Sequence, residues 1–494
     1  MKYLFFATAV LGIVPMTIFM VCYRRFIRWG MLGLILPLCI FNATAINFFS
    51  EARISVGGIA TLAEKYRGTS RGLEISLVYI VAVSLLLAFF ILRGQRRICP
   101  DWGSRLYAVY FLLCIPSALN APNLLVYTFE LWKMAMIHLV FMAVYYYLEF
   151  YDGDLDIIFY GVAMLVAWNF VLVLYGYMTG VYRVQGIFPH PNSMAMYMTI
   201  AGLLFFSRSF NLAEGRKTSL FVAAFILASI AIARSYSRGA IFCYPLGGLI
   251  TLLCSLWGGR SPHKTRYLAC IIPVALIGLI LATPKIIERF ENAPKASGET
   301  RKQLALAAFN MIKDKKWLGV GLNNWSILVS PPYHYTEHLD LTLFNENYEN
   351  AVVETIYRDD FGGGIVETIY LLVGAECGIP CLLALLCWFG YYWVSSFRLL
   401  KLLRRTDYFY LPAGLFGALT ATFLQSALEW VLKQQINFIW LVTVFAIISF
   451  LNKHYKDLIE LDAQKHAAEA NMDAATAAAP LPADGVPTIT PVEK

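Results

Sequence analysis

Three arginines stand out for the residues around them. Arg183 lies in Tyr182-Arg183-Val184-Gln185-Gly186-Ile187-Phe188-Pro189-His190-Pro191-Asn192. An apolar run opens at Ser193, and such a Pro-Asn-Ser helix start leaves backbone amides facing any nearby anion. Arg234 and Arg238 are four residues apart in Arg234-Ser235-Tyr236-Ser237-Arg238-Gly239-Ala240, a short turn between two apolar runs. A guanidinium stays charged when desolvated and its planar fork donates two bonds at once, so this grouping suits phosphate oxygens. The same side chains could equally reach lipid headgroups, and spacing alone leaves both readings open.

The other chemistry-bearing residues carry weaker signals. His334 and His338 have the four-residue spacing of a helical metal pair, but they sit in Pro331-Pro332-Tyr333-His334-Tyr335-Thr336-Glu337-His338, which argues against a helix and a metal site. With Tyr333, Tyr335 and Trp325 they would suit a sugar-contacting loop or plain loop packing. Glu130 and Lys133 are at helical spacing and are expected to neutralise each other, and Glu376 to hold a loop or an arginine. Arg53, Arg67 and Arg71, with Glu64 and Glu74, read as headgroup contacts. Nine of the ten cysteines fall in apolar stretches and Cys99 lies beside basic residues, so neither a disulfide framework nor a thiolate metal site is expected. The glycines at 319 and 321 follow a helical pattern and match no dinucleotide or Walker fingerprint.

The elements that must position these residues are membrane spans. Of 494 residues, 59% are hydrophobic and 15% charged, which excludes an ordinary soluble enzyme and predicts an all-α polytopic membrane protein. The net charge of +8 is then a matter of loop placement, and no nucleic-acid partner is expected. Apolar runs near 20 residues long predict about 12–13 helices: 3–22, 29–49, 73–92, 106–119, 124–148, 157–178, 193–206, 219–233, 240–256, 267–282, 368–394, 410–428 and 436–451. The run at 106–119, with Pro116 near its end, could be re-entrant. Arg24, Arg25 and Arg28 follow the first run without a cleavage site, so that run reads as a retained anchor with its amino end outside. Alternating from there places about 17 loop bases inside against about 8 outside.

The expected organisation is an N-terminal bundle over 1–282, an outer loop domain over 283–367, C-terminal helices over 368–451 and a cytoplasmic, mostly disordered tail over 452–494, its Ala-rich part beginning at Asp462. Within the loop, Thr300 to Lys316 sets Leu304, Ala307, Ala308, Met311 and Ile312 against Lys302, Lys313 and Lys315, which predicts an amphipathic helix.

The order of four motifs resembles the bacterial O-antigen ligase and polymerase superfamily. They are Arg183 to Asn192; Ser237-Arg238-Gly239; Arg301 opening a helix that leads into Leu318-Gly319-Val320-Gly321-Leu322-Asn323-Asn324; and Tyr370-Leu371-Leu372 with Ala375-Glu376-Cys377-Gly378. The resemblance spans about 182–397. It implies a glycosyltransferase of the inner membrane that passes a glycan from an undecaprenyl-diphosphate carrier to a glycan or lipid acceptor at the periplasmic face, without a nucleotide sugar, cofactor or metal. By position, Arg183 and Arg238, with Arg234 beside them, inherit the lipid-diphosphate site; Asn192, Arg301, Tyr370 and His338 are candidate supports. The chain departs from the family at its catalytic position: where a His-Asn pair precedes the last motif, Glu367 and Thr368 stand here. Glu367 is therefore either the base for the acceptor hydroxyl or the ion-pair partner of an arginine. Val353 to Tyr357 repeats the residues of Val366 to Tyr370, so Glu354 is a second copy, farther from the helix. A flippase for lipid-linked glycans and a protein O-oligosaccharyltransferase are the alternatives.

Overall fold

The computed structural model describes residues 7–8, 10–35, 46–47, 69–70, 72–92, 101–212, 215–259, 261–291, 295–329, 335 and 365–478. In order, the helices are α1 Ile13–Cys22, α2 Arg25–Ile35, α3 Leu77–Leu92, α4 Trp102–Cys114, α5 Leu124–Phe150, α6 Asp156–Met178, α7 Pro191–Asn211, α8 Gly215–Ser235, α9 Arg238–Trp257, α10 Pro262–Glu291, α11 Lys295–Asp314, α12 Trp325–Leu328, α13 Ile369–Leu402, α14 Tyr410–Ser426 and α15 Gln435–Ala478. Two short strands, β1 Ile46–Asn47 and β2 Glu74–Ile75, pair antiparallel with Ile46 opposite Ile75. Each expected span overlaps one of these helices; the runs at 3–22 and 29–49 lie partly outside the described residues, and 46–47 of the second belong to β1. Six of the described helices (α5, α6, α8, α9, α13 and α15) are long and apolar enough to cross a membrane. The chain is an all-α polytopic membrane protein.

Helix α7 is the central element: every residue from Pro191 to Phe210 is buried, and α8, α9 and α14 pack around it. The helix starts are capped by short polar side chains. Asn123 accepts from the amides of Leu125 and Val126 at 3.0 and 3.1 Å, and Asp101 accepts from Ser104 N at 3.0 Å. Pro191 occupies the first turn of α7, where its missing N–H costs nothing, and His190 Nδ1 accepts from Asn192 N at 3.1 Å.

Helix α13 is broken at Gly378 (φ 84°, ψ 173°), and Pro380 follows. A break inside an apolar helix frees backbone groups that must find partners in the protein. They find them in the segment after α11: Val320 N donates to Ala375 O and Gly321 N to Glu376 O, both at 2.9 Å, and Ile379 N donates to Lys316 O at 2.8 Å. Gly319 (φ 67°) and Gly378 lie face to face, and a Cβ on either would run into the other segment's backbone. The amphipathic helix α11 is thereby clamped to the bundle, with Leu304, Ala307, Ala308 and Met311 buried against Leu372 and Ala375 of α13.

Beneath this junction lies a buried ionic core. Lys133 Nζ is 2.7 Å from Glu130 Oε2; Lys433 Nζ is 2.7 Å from Glu376 Oε2 and 3.6 Å from Glu130 Oε1; all four side chains are at most 6% exposed. Two carboxylates and two ammoniums cancel in charge. The expected Glu130–Lys133 neutralisation is part of this larger group, and Glu376 holds a lysine.

The run at 106–119 is helical: α4 continues as a 3-10 helix, Ile115–Asn120, with Asp101 before α4 accepting from Ser449 at 2.7 Å and Asn120 donating to Gly319 O at 2.8 Å. Of the two readings for Trp325 and Tyr335, packing holds: they are core residues, 1% and 5% exposed, and the Tyr335 hydroxyl donates to Asp314 at 2.6 Å, so neither offers a ring to sugar. One expectation is corrected. The chain from Asp462 to Ala478 is helical. Its alanines favour helix, and Asp462 accepts from Asp407 N at 3.0 Å, tying α15 to the start of α14.

Candidate functional site

The ends of α6, α8 and α14 and the starts of α7, α9 and α13 meet around the motif arginines. The 183–190 loop is sewn to the α8–α9 turn: Val184 N donates to Arg234 O at 3.3 Å, and Arg183 Nε donates to Ser235 O at 3.2 Å. Arg183 Nη2 also donates to Asn192 Oδ1 at 2.7 Å, so the expected support by Asn192 has a direct geometric form. The rings of Tyr182 and Tyr236 stack 5.2 Å apart. Tyr236 sits at φ 49°, the left-handed region, which lets the chain reverse with two residues between α8 and α9. Arg234 lies over the Tyr177 ring, 3.8 Å from its centroid. Its place is at the rim beside an aromatic wall.

Glu367 precedes α13 by two residues and is half-buried; Arg301 Nη2 of α11 is 3.7 Å from its Oε2. Partial burial raises the Glu367 carboxyl above its ordinary value, and the charges of Arg301, Arg238 and Arg183, in that order, pull it back. Three arginines from three separate motifs thus act on one carboxylate. At 3.7 Å the Arg301 contact is looser than a charge-assisted hydrogen bond and leaves the carboxylate able to take a proton. Tyr370 packs instead: its hydroxyl donates to Phe423 O in α14 at 2.9 Å. His334, His338, Glu354, Arg53, Arg67 and Arg71 lie outside the described residues.

Sequence reasoning missed Glu429. This carboxylate, 2% exposed, lies in the turn after α14. Ser237 Oγ donates to its Oε1 at 2.8 Å and Gln425 Nε2 to its Oε2 at 2.9 Å. Burial raises its carboxyl, the two hydrogen bonds oppose the rise, and the nearby charges of Glu367 and Arg301 act in opposite directions. The available signal was a lone acid directly after an apolar run, a position where charge is costly. A second grouping was also invisible in the sequence: Cys114, Cys377 and Cys381 come together in the bundle, with the Cys114 and Cys381 sulfurs 3.3 Å apart.

The fold and site together define a polytopic membrane protein with a cluster of arginines and carboxylates at one end of its bundle. The family model for O-antigen ligase matches residues 223–358, in agreement with the resemblance read from the motifs. The matched stretch takes in Arg234, Arg238, Arg301 and the Gly319–Asn324 turn, and the activity that goes with it is glycan transfer of the O-antigen ligase kind. No curated protein matches the chain.

Proposed function

We propose that the protein is a glycosyltransferase of the bacterial inner membrane that takes a glycan from undecaprenyl diphosphate and passes it to a glycan or lipid acceptor at the periplasmic face. The observation that carries this reading is the convergence of Arg183, Arg238 and Arg301 on Glu367. A carrier diphosphate brings charge to such a cluster, and guanidinium groups beside the starts of α7 and α9 suit its oxygens. The acceptor hydroxyl attacks the anomeric carbon, the bond from that carbon to the diphosphate oxygen breaks, and the hydroxyl proton passes to Glu367. The departing diphosphate keeps the electron pair and is stabilised by Arg183 and Arg238, so no general acid is required. The domain boundaries at 282, 367 and 451 belong to the same reading.

The raised Glu367 carboxyl favours the base role, since a group poised nearer neutrality accepts a proton more readily at working pH. In Glu367→Gln the shape is kept and the proton acceptor is lost, so turnover should fall about a hundredfold to ten-thousandfold with donor binding retained. Normal turnover would remove Glu367 as the base; loss of donor binding as well would make it the structural partner of Arg301.

A further inference from the structure

Glu429 takes no part in the transfer just described, yet it lies directly under the α8–α9 turn that carries Arg234 and Arg238. Among the described residues its oxygens are met by two neutral donors, Ser237 and Gln425. Ser237 is the N-cap of α9, and its Oγ accepts from Ala240 N at 3.3 Å. A hydroxyl has one proton to give. With that proton committed to Glu429, the lone pairs of Ser237 are left for the helix amide, so the carboxylate selects the rotamer in which the serine caps. The first turn of α9 rests on the same group, since a Cβ on Gly239 would stand 3.0 Å from Glu429 Oε1. A carboxylate buried without a cation in hydrogen-bond range is costly, and apolar packing would fill the space at less cost. Arg238 is the first helical residue after the cap, so the direction of its side chain follows from how the cap is held.

The geometry points to Glu429 as a positioning residue for the donor: by fixing Ser237 as the cap of α9, it sets where the Arg238 guanidinium meets the diphosphate oxygens. This rests on the donor reading given above. The effect should appear in donor KM, because Arg238 meets the diphosphate in the bound ground state as well as in the transition state.

The test uses the full-length protein, purified in detergent, with carrier-linked glycan as donor, and a double-mutant cycle between Glu429 and Arg238. Glu429→Ala should raise donor KM about tenfold, the scale of a lost helix cap, with acceptor KM unchanged. Ser237→Ala removes the cap without emptying the Glu429 pocket and should raise donor KM similarly, which keeps the test decisive if Glu429→Ala fails to accumulate. Glu429→Gln should stay within about twofold of wild type: its carbonyl can accept from Ser237, and its amide can donate to Gln425 Oε1, which has no partner among the described residues, once the Gln425 amide turns over. In an Arg238→Ala background, Glu429→Ala should add nothing to donor KM. Effects that multiply independently, or an unchanged donor KM in both Glu429→Ala and Ser237→Ala, would overturn the assignment. An Arg238→Ala protein with normal donor KM would instead defeat the donor reading, and this inference with it.

Discussion

Lys433 is the pivot of the buried ionic core, and its removal should cost more than any surface change. At 2.7 Å from Glu376, and with an effective dielectric constant of ~20, the attraction is about 6 kcal/mol, against which the desolvation of both groups must be set. Lys433→Met leaves Glu376 buried with no cation, while Glu130 keeps Lys133 at 2.7 Å. An uncompensated buried charge of this kind costs about 3–5 kcal/mol. Replacing both partners, as in Lys433→Met with Glu376→Met, removes the charge and the desolvation penalty together, so the double variant should return to within about 1 kcal/mol of wild type. The assay is thermal unfolding of the purified protein in detergent, followed by loss of tryptophan signal or by aggregation. The single variant should unfold at clearly lower temperature and the double near wild type. Equal destabilisation of the two would show that the core acts through lysine packing rather than charge, and an unperturbed single variant would refute the reasoning outright.

The junction between α11 and α13 should be as sensitive. Gly319→Ala forces a Cβ into the Glu376 backbone at positive φ and should destabilise by at least about 1–3 kcal/mol in the same assay, whereas Gly390→Ala, which meets nothing within 4 Å, should be neutral. If Glu367 is the base, its raised carboxyl means that kcat/KM falls as pH drops through a value above that of an ordinary Glu; Glu367→Gln should lose that acid limb and Glu354→Gln should keep it. Topology is tested with impermeant thiol reagents. A cysteine at exposed Lys315 should label from the periplasm above the native-cysteine background and one at Arg405 should not, and the reverse would invert the orientation.

The spans were legible because a lipid-crossing helix needs an apolar run of fixed length, and that signal survives without tertiary knowledge. The face of α11 was legible for a similar reason, since Leu304, Ala307, Ala308 and Met311 repeat with helical period. Arg183 and Arg238 were legible as chemistry because charge beside apolar runs is costly and each sits in a turn. What could not be read depends on long-range pairing. Nothing near Glu429 indicates that Ser237 would cap α9 against it, and nothing near Lys433 indicates that Glu130 and Glu376 converge there. The break at Gly378 was hidden because its cost is met by the Lys316–Gly321 segment, far away in sequence. The tail misled because an Ala-rich, polar stretch suits both a disordered chain and a solvated helix, and its docking through Asp462 on the start of α14 decides for the helix.

The central claim is that the arginine cluster holds a lipid diphosphate during glycan transfer. Its most direct test is a reconstituted reaction with purified protein, undecaprenyl-diphosphate-linked glycan and acceptor, comparing wild type with Arg183→Ala and Arg238→Ala and following transferred glycan and released carrier. Wild type should release one carrier diphosphate for each glycan transferred, each alanine variant should lose most of that activity while inserting normally, and the lysine variants should recover only part of it, because an ammonium lacks the bidentate fork. Undiminished transfer by both alanine variants, or movement of the donor across vesicles without transfer by wild type, would contradict the account.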